Sequence, residues 1–366
     1  MADRIAAIGG AIERGRVAHV AIDEPSRQPA RGRGAGEDDG LVTAPHERAD
    51  DRLSEIARAA RDQNLHATPN DMLSGPTEPP LFKRQTSGSV VCVSCGNLVG
   101  VSDERCYTCG RWNPGLWGYA PALRRLGQDL GFVQLVVWGS AGLYLASLVA
   151  SGADAMGGMG PMSILSPNSL SLFLFGASGA MPVFGYGRWW TVISAAWLHG
   201  GILHILFNML WVRQLGPATA ELYGAGRMIV IYTVAGICGF LLSSVAGAYL
   251  GFLPFGFLRG AQLTVGASAS IFGLLGALVY YGRRTGSSMV HREALQYAVV
   301  LFVMGFIMSG VDNYAHAGGF AGGFLISKVM DPLKPERIDH LVWGLGCLVA
   351  AALSIAASLV HGWMLG

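Results

Sequence analysis

The sequence predicts an all-α polytopic membrane protein: a core of six transmembrane helices, a seventh span at the C-terminal end, and a small cysteine-bearing module in front. Three observations carry this. Of the 366 residues, 51% are hydrophobic and only 14% charged, against about 25% charged in an ordinary soluble domain. Residues 1–125 hold 16 of the 26 Lys and Arg and 16 of the 24 Asp and Glu, so long runs of the remainder are suited to lipid rather than water. Two Cys-x2-Cys pairs stand just before the first such run. The formal net charge of +2 is too small, and too mixed in sign, to argue for nucleic acid as a partner.

Residues 1–84 are rich in Gly, Pro and charge clusters such as PARGRGAGEDDG, and hold too few large apolar side chains to build a core. They are expected to be largely disordered, with one amphipathic helix in HERADDRLSEIARAARDQN, where Leu53, Ile56 and Ala60 recur at helical spacing. The first 40 residues lack the apolar core of a cleavable signal, so the N-terminus is expected to stay on the side where it was made.

Residues 85–118 form the next unit. Cys92 and Cys95, then Cys106 and Cys109, make two knuckles, each presenting two thiolates on a tight turn. Together they complete the tetrahedral shell that zinc prefers, and the spacing looks like a small zinc ribbon holding one structural zinc. Redox disulfides are the competing reading, and a cytoplasmic position argues against them. Neither the local charge nor the aromatic pattern supports nucleic-acid binding, which leaves docking or regulation as the module's expected role.

From Gly131 onward seven apolar segments are long enough to span a hydrocarbon core, which takes about 20 helical residues. They are expected near 131–150, 197–215, 227–250, 265–282, 294–310, 313–330 and 341–362. The fourth and sixth are rich in Gly and Ala, which suits helices packed against protein instead of lipid. With the N-terminus inside, the inner loops hold Arg213, Arg227, Arg283, Arg284, Arg292, Lys328, Lys334 and Arg337, and the outer loops only Arg188 and Arg259. That asymmetry follows the positive-inside rule. It makes the protein a multi-pass cell-membrane protein with a cytoplasmic N-terminus and cysteine module. The long connection 151–196 is then external, and its aromatic pieces are expected to lie in the membrane interface.

Polar residues inside spans are expensive and mark function by default. The second span carries His199, His204 and Asn208, the fourth opens with Ser268, and the sixth opens with His316. The topology puts all five at the external ends of their helices. A serine hydroxyl becomes a nucleophile when a neighbouring base accepts its proton, and the oxyanion it generates needs fixed donors. Ser268 with His316 meets the first need. His204, Asn208 and the Ser268 backbone N–H meet the second. Gly273, Gly276, Gly318, Gly319, Gly322 and Gly323 let the fourth and sixth helices approach closely enough for the pair to meet.

The ordered set His-x4-His-x3-Asn, then Gly-x-Ser, then Ala-His-x-Gly-Gly resembles the rhomboid family of intramembrane serine proteases over residues 125–335. Trp189, Trp190 and the Glu221, Gly224, Arg227 string support the resemblance. It implies a Ser268–His316 dyad without a carboxylate, oxyanion support from His204 and Asn208, His316 stacked on Phe272, and no catalytic cofactor. It also implies single-span membrane proteins in the lipid bilayer as substrates, cut near the external face. Residues 336–366 look like the family's common C-terminal seventh helix. Two positions depart from the family pattern: Thr191 replaces an Arg after the tryptophan pair, and Ala269 replaces the Gly that usually follows the serine. The Ala269 methyl is expected to crowd the oxyanion site, so that Ala269→Gly would raise turnover. It also motivates the alternative of a weak or inactive client-binding relative. A better match to Gly-x-Ser-Gly lies at Gly176–Gly179, but it precedes both base and oxyanion residues and is followed by the helix breakers Pro182, Gly185 and Gly187. A proton-coupled transporter is the rival class, yet the spans hold almost no charge from which to build a relay.

Overall fold

The computed structural model describes residues 84–366, apart from 94, 125–126, 157–164, 254, 256–257, 309 and 366. The expectations for the N-terminal region, disorder and an amphipathic helix included, lie outside the described residues.

The cysteine module is built on a hairpin of β1 (Ser89–Val91) and β2 (Leu98–Gly100), antiparallel with Val90 opposite Val99. The first knuckle sits at the hairpin turn. The second is closed by the Gly110 N–H donating to the Cys106 carbonyl at 2.9 Å. Val90, Cys92, Val99 and Cys106 are all buried and form the module's small core. So few apolar residues cannot hold a fold alone, and a structural metal is the usual remedy.

The helices that build the bundle are α1 (Phe132–Ser151), α2 (Ser169–Phe175), α3 (Ile202–Tyr223), α4 (Ala225–Tyr249), α5 (Ser268–Thr285), α6 (Ser288–Ile307), α7 (Asn313–Val329) and α8 (Ile338–Leu365), with shorter helical turns between them. The seven long ones correspond to the seven expected spans. Among the described residues, α1, α4, α6 and α8 are long and apolar enough to cross a membrane on their own. The second expected span is broken: Thr191–Trp197 and Ile202–Tyr223 meet at 92°, so α3 begins five residues later than the hydropathy suggests. Leu198, in extended conformation, and the glycines at 200 and 201 end the first piece. This break sets His199 off the helix that carries His204.

Helices α5 and α7 fall short of lipid-spanning hydropathy because protein, not lipid, surrounds them. Ala269 through Val279 are buried without interruption, and α7 buries His316, Gly318, Gly319, Gly322 and Gly323. Their backbones touch. A Cβ on Gly319 would land on the Ala269 carbonyl, one on Gly323 on the Gly273 carbonyl, and one on Gly276 on the Phe320 carbonyl. Helix α4 lies across this pair, with Gly239 against Ala315 and Ala269. The outward faces of α6 and α8 remain apolar and exposed, as Val299, Val303, Ile307, Val342, Leu345 and Leu353 illustrate. A lipid solvent accounts for such faces.

At the end of the bundle away from Ser268, the cysteine module is tied to the helices. The buried Arg111 donates from Nη1 to the Glu336 carbonyl at 3.1 Å. The Glu336 carboxylate in turn accepts the Gly226 and Arg227 N–H groups at the start of α4, at 2.7 and 3.3 Å. Burial raises the Glu336 carboxyl above its usual range, opposed by these N–H groups and by the charges of Arg227 and Arg111.

Candidate active site

Ser268 is the first residue of α5 and is half-buried. The N–H groups of a helix's first turn have no intrahelical acceptor, and no side chain caps this one. The Ser268 N–H is therefore a spare donor at the positive end of a helix dipole. Phe272, one turn on and on the same face, stacks flat against the His316 ring, with centroids 4.1 Å apart and planes 16° from parallel. His316 thus reaches the Ser268 face of α5 from α7.

Among the described residues, no carboxylate orients that histidine. The His316 Nδ1 is buried without a hydrogen-bond partner, and the nearest acid in sequence is committed elsewhere. Asp312 caps α7 by accepting the Ala315 N–H at 3.0 Å and takes the Ser243 hydroxyl at 2.5 Å. Aromatic stacking, not an acid, sets the ring's plane. Among the described residues no hydrogen bond joins Ser268 to His316, a bond that resting active sites often form only with substrate present.

The loop before Ser268 meets the second-span pair. Gly266 has φ +131°, and a Cβ there would stand 2.6 Å from His204 Nε2 and 3.7 Å from Asn208 Nδ2. Both the conformation and the space demand glycine. The Gly200 N–H donates to His204 Nδ1 at 3.3 Å, which leaves Nε2 as the protonated nitrogen of a neutral ring, pointing at the Gly266 loop. Asn208 donates one Nδ2 hydrogen to the His204 carbonyl at 2.9 Å and keeps the other. His199 is fully buried beside the break, edge-on to His204 with centroids 5.2 Å apart. It supports His204 from behind.

The better motif match at Gly176–Gly179 has a different place. Ser178 is fully buried and pairs by backbone with Thr264 in both directions, at 3.0 and 2.7 Å. It grips the approach to Gly266 through its main chain.

The Ala269 methyl packs toward α4. It is fully buried in a cluster with Ala195, Ala196, Phe240 and Ala315, where a Cβ on Gly239 would approach it to 2.7 Å. The missing side chain at Gly239 makes room for the methyl. Arg188 went unrecognised in the sequence, where it registers only as an outer-loop charge. It is fully buried and donates to the Phe173, Leu174 and Ser358 carbonyls at 2.6, 3.4 and 3.0 Å. It precedes the tryptophan pair where the family's Arg follows it.

In the cysteine module the four Sγ atoms lie within 4.8 Å of one another. Cys95 and Cys106 are 3.5 Å apart, Cys92 and Cys109 3.8 Å. These separations are far beyond a disulfide bond but fit a tetrahedral site, since sulfurs about 2.3 Å from zinc lie about 3.8 Å from each other. Burial and the neighbouring thiols push Cys95 up to about 12, against the Asn97 backbone. Burial also acts to raise Cys106, but hydrogen bonds from the Cys109 and Thr108 backbone and from two thiols bring it down to about 6. The cluster is one that could hold a metal ion.

A polytopic bundle with a polar cluster of this kind at one end is the class that fold and site define. Within it, residues 186–332 match the family model described as Rhomboid domain. Rhomboid protease GluP of Bacillus subtilis (strain 168) is 33% identical over 199 residues, 54% of this chain and 36% of the relative. RHOMBOID-like protein 4 of Arabidopsis thaliana is 33% identical over 171 residues, 46% of this chain and 40% of the relative. Rhomboid-like protease 3 of Toxoplasma gondii is 26% identical over 204 residues, 53% of this chain and 72% of the relative. The match spans well under half the length of the first two.

The position of Ala269 generates a prediction opposite to the sequence expectation. Ala269→Gly should leave single-turnover cleavage near the wild-type rate while costing about 1 kcal/mol of stability, from helix propensity and lost packing. A several-fold faster variant would place the methyl in the oxyanion site after all.

Proposed function

We propose that the protein is an intramembrane serine endopeptidase in which Ser268 is the nucleophile and His316 its general base. One observation carries the reading: His316 is stacked on Phe272, one turn beyond a serine whose helix N-terminus is uncapped. The chemistry follows from the groups present. His316 takes the Ser268 proton as Oγ attacks the scissile carbonyl, then returns it to the leaving amine. The oxyanion is held by the Ser268 N–H, His204 Nε2–H and the free Asn208 Nδ2–H, with the α5 dipole adding to the field. His199 acts through His204. Substrates are single-span membrane proteins whose helix unwinds near the face that Ser268 opens to. The basic-residue asymmetry makes that the external face and puts the cysteine module in the cytoplasm. The domain scheme is 85–118 for the module, 125–335 for the protease core and 336–366 for the seventh helix. Ala269, lodged against Gly239, gives no ground for the inactive alternative.

The cysteine cluster is assigned one structural zinc, held by Cys92, Cys95, Cys106 and Cys109. Its contribution is folding free energy for a module too small to hold itself together, with Arg111 passing that order to the inner loop at Glu336.

Two experiments test these assignments. In cleavage of a generic single-span reporter, Ser268→Ala and His316→Ala should abolish product, while Ser178→Ala keeps most activity. Loss of a single donor in Asn208→Ala should slow the reaction by about 100-fold. Cleavage surviving in Ser268→Ala would remove the nucleophile assignment. Elemental analysis of the purified full chain should give about one zinc per molecule, absent when Cys92 and Cys95 are both replaced by Ser. A metal-free chain whose module still resists protease would end the zinc assignment.

A further inference from the structure

Helix α8 shows mostly apolar, exposed side chains, among them Val342, Leu345, Val349 and Leu353. Its C-terminal half nevertheless buries two serines one turn apart, Ser354 and Ser358. Both are tied to the connection that precedes α3. The Ser354 hydroxyl donates to the Trp190 carbonyl at 2.7 Å, and the Trp190 indole Nε1–H donates to the Ser358 Oγ at 3.1 Å. The Ser358 carbonyl accepts from the buried Arg188 at 3.0 Å, and the His361 ring meets Trp190 edge-on at 5.7 Å.

Arg188 needs these partners. A buried guanidinium must be matched by acceptors or it destabilises the fold. Its other two acceptors, the Phe173 and Leu174 carbonyls, belong to the last turn of α2, where the Phe173 carbonyl also takes the capping Gly176 N–H at 3.2 Å. Its plane also covers the Phe173 ring at 4.3 Å. A single cation therefore joins α8, the end of α2 and the turn before Trp189.

The segment so fixed has a second side, and it faces the nucleophile's loop. The Ser194 hydroxyl donates to the Gly176 carbonyl at 2.8 Å. A Cβ on Gly176 would collide with the Ser194 hydroxyl and stand 2.7 Å from the Ser358 hydroxyl, so three elements meet at that point. Two residues on, Ser178 pairs with Thr264. The Ala195 carbonyl accepts the Gly266 N–H at 2.9 Å. From Gly266 the chain has two residues to Ser268.

We propose that the C-terminal half of α8, through Ser354 and Ser358, is a positioning element for the active site. It holds Arg188 and Trp190, which hold segment 173–195, which sets the backbone of 264–266 against His204 and Asn208. The inference rests on the protease reading for its consequence in rate. The mechanical linkage itself stands apart from that reading.

The test uses the full chain in detergent or bilayers. Ser354→Ala with Ser358→Ala, and separately Trp190→Phe, remove the side-chain links without adding bulk. Cleavage of a single-span reporter should show kcat down about tenfold with KM within about twofold, because a small misplacement of the reacting groups is enough for such a loss. Amide hydrogen exchange at Ser178 and Gly266, whose N–H groups close the linkage, should accelerate in the same variants. Arg188→Lys should recover part of what Arg188→Met loses. Should Arg188→Met fail to accumulate, the serine and Trp190 variants decide alone. Wild-type kcat together with unchanged exchange in those variants would overturn the inference. Faster exchange in a chain whose wild type cleaves nothing would uphold the linkage and count instead against the protease reading.

Discussion

The contact on which the rest of this structure depends is the backbone-to-backbone approach of α5 and α7. Water supplies no hydrophobic force between helices in a bilayer, so association relies on close packing. Glycine is what permits it here: side chains at Gly319, Gly323 or Gly276 would each fall on a carbonyl of the facing helix. The consequence is chemical as well as structural. Only at that separation can the His316 ring lie flat on Phe272, and only then does an imidazole carried by α7 stand at the face that carries Ser268.

The remaining parts orient what that contact brings together. Helix α3 begins after a sharp break, which leaves His199 behind His204 and points His204 and Asn208 at the bend of Gly266. Helix α4 fills the space behind the pair, its Gly239 complementing the Ala269 methyl. The connection between α1 and α3 is pinned by Arg188 and Trp190 to α8 and by Ser178 and Ala195 to the loop before Ser268. Polar groups left in a low-dielectric interior are costly unless each has a partner, and most of those partners here are backbone carbonyls supplied by helix ends. At the opposite end, Arg111 and Glu336 join the cysteine module to the start of α4.

Much of this was legible in the residues, for identifiable reasons. Ser268, His316, His204 and Asn208 stand out because uncharged spans make any polar side chain conspicuous, and the four cysteines because two-residue spacing has few structural uses. Helix positions followed from hydropathy, most ends to within a few residues, while the second span runs on to Tyr223 and the fifth starts at Ser288. What escaped was whatever depends on direction. The break before α3 hides inside an apolar run, so hydropathy reads through Leu198 and the two glycines as a continuous helix. Arg188 reads as a surface charge until its three carbonyl acceptors, one of them 170 residues away in α8, are seen together. Ala269 follows Ser268 in sequence, but at 100° per residue along a helix its methyl turns off the Ser268 face and packs against Gly239 of α4.

The central claim, a Ser268 made nucleophilic by His316, is tested most directly by intact-mass and peptide mapping after treatment with a serine-reactive fluorophosphonate. The account predicts one adduct per chain, located on Ser268, and none when His316 is replaced by Ala. An adduct on Ser178 or any other serine, or undiminished labelling of Ser268 without His316, would contradict it.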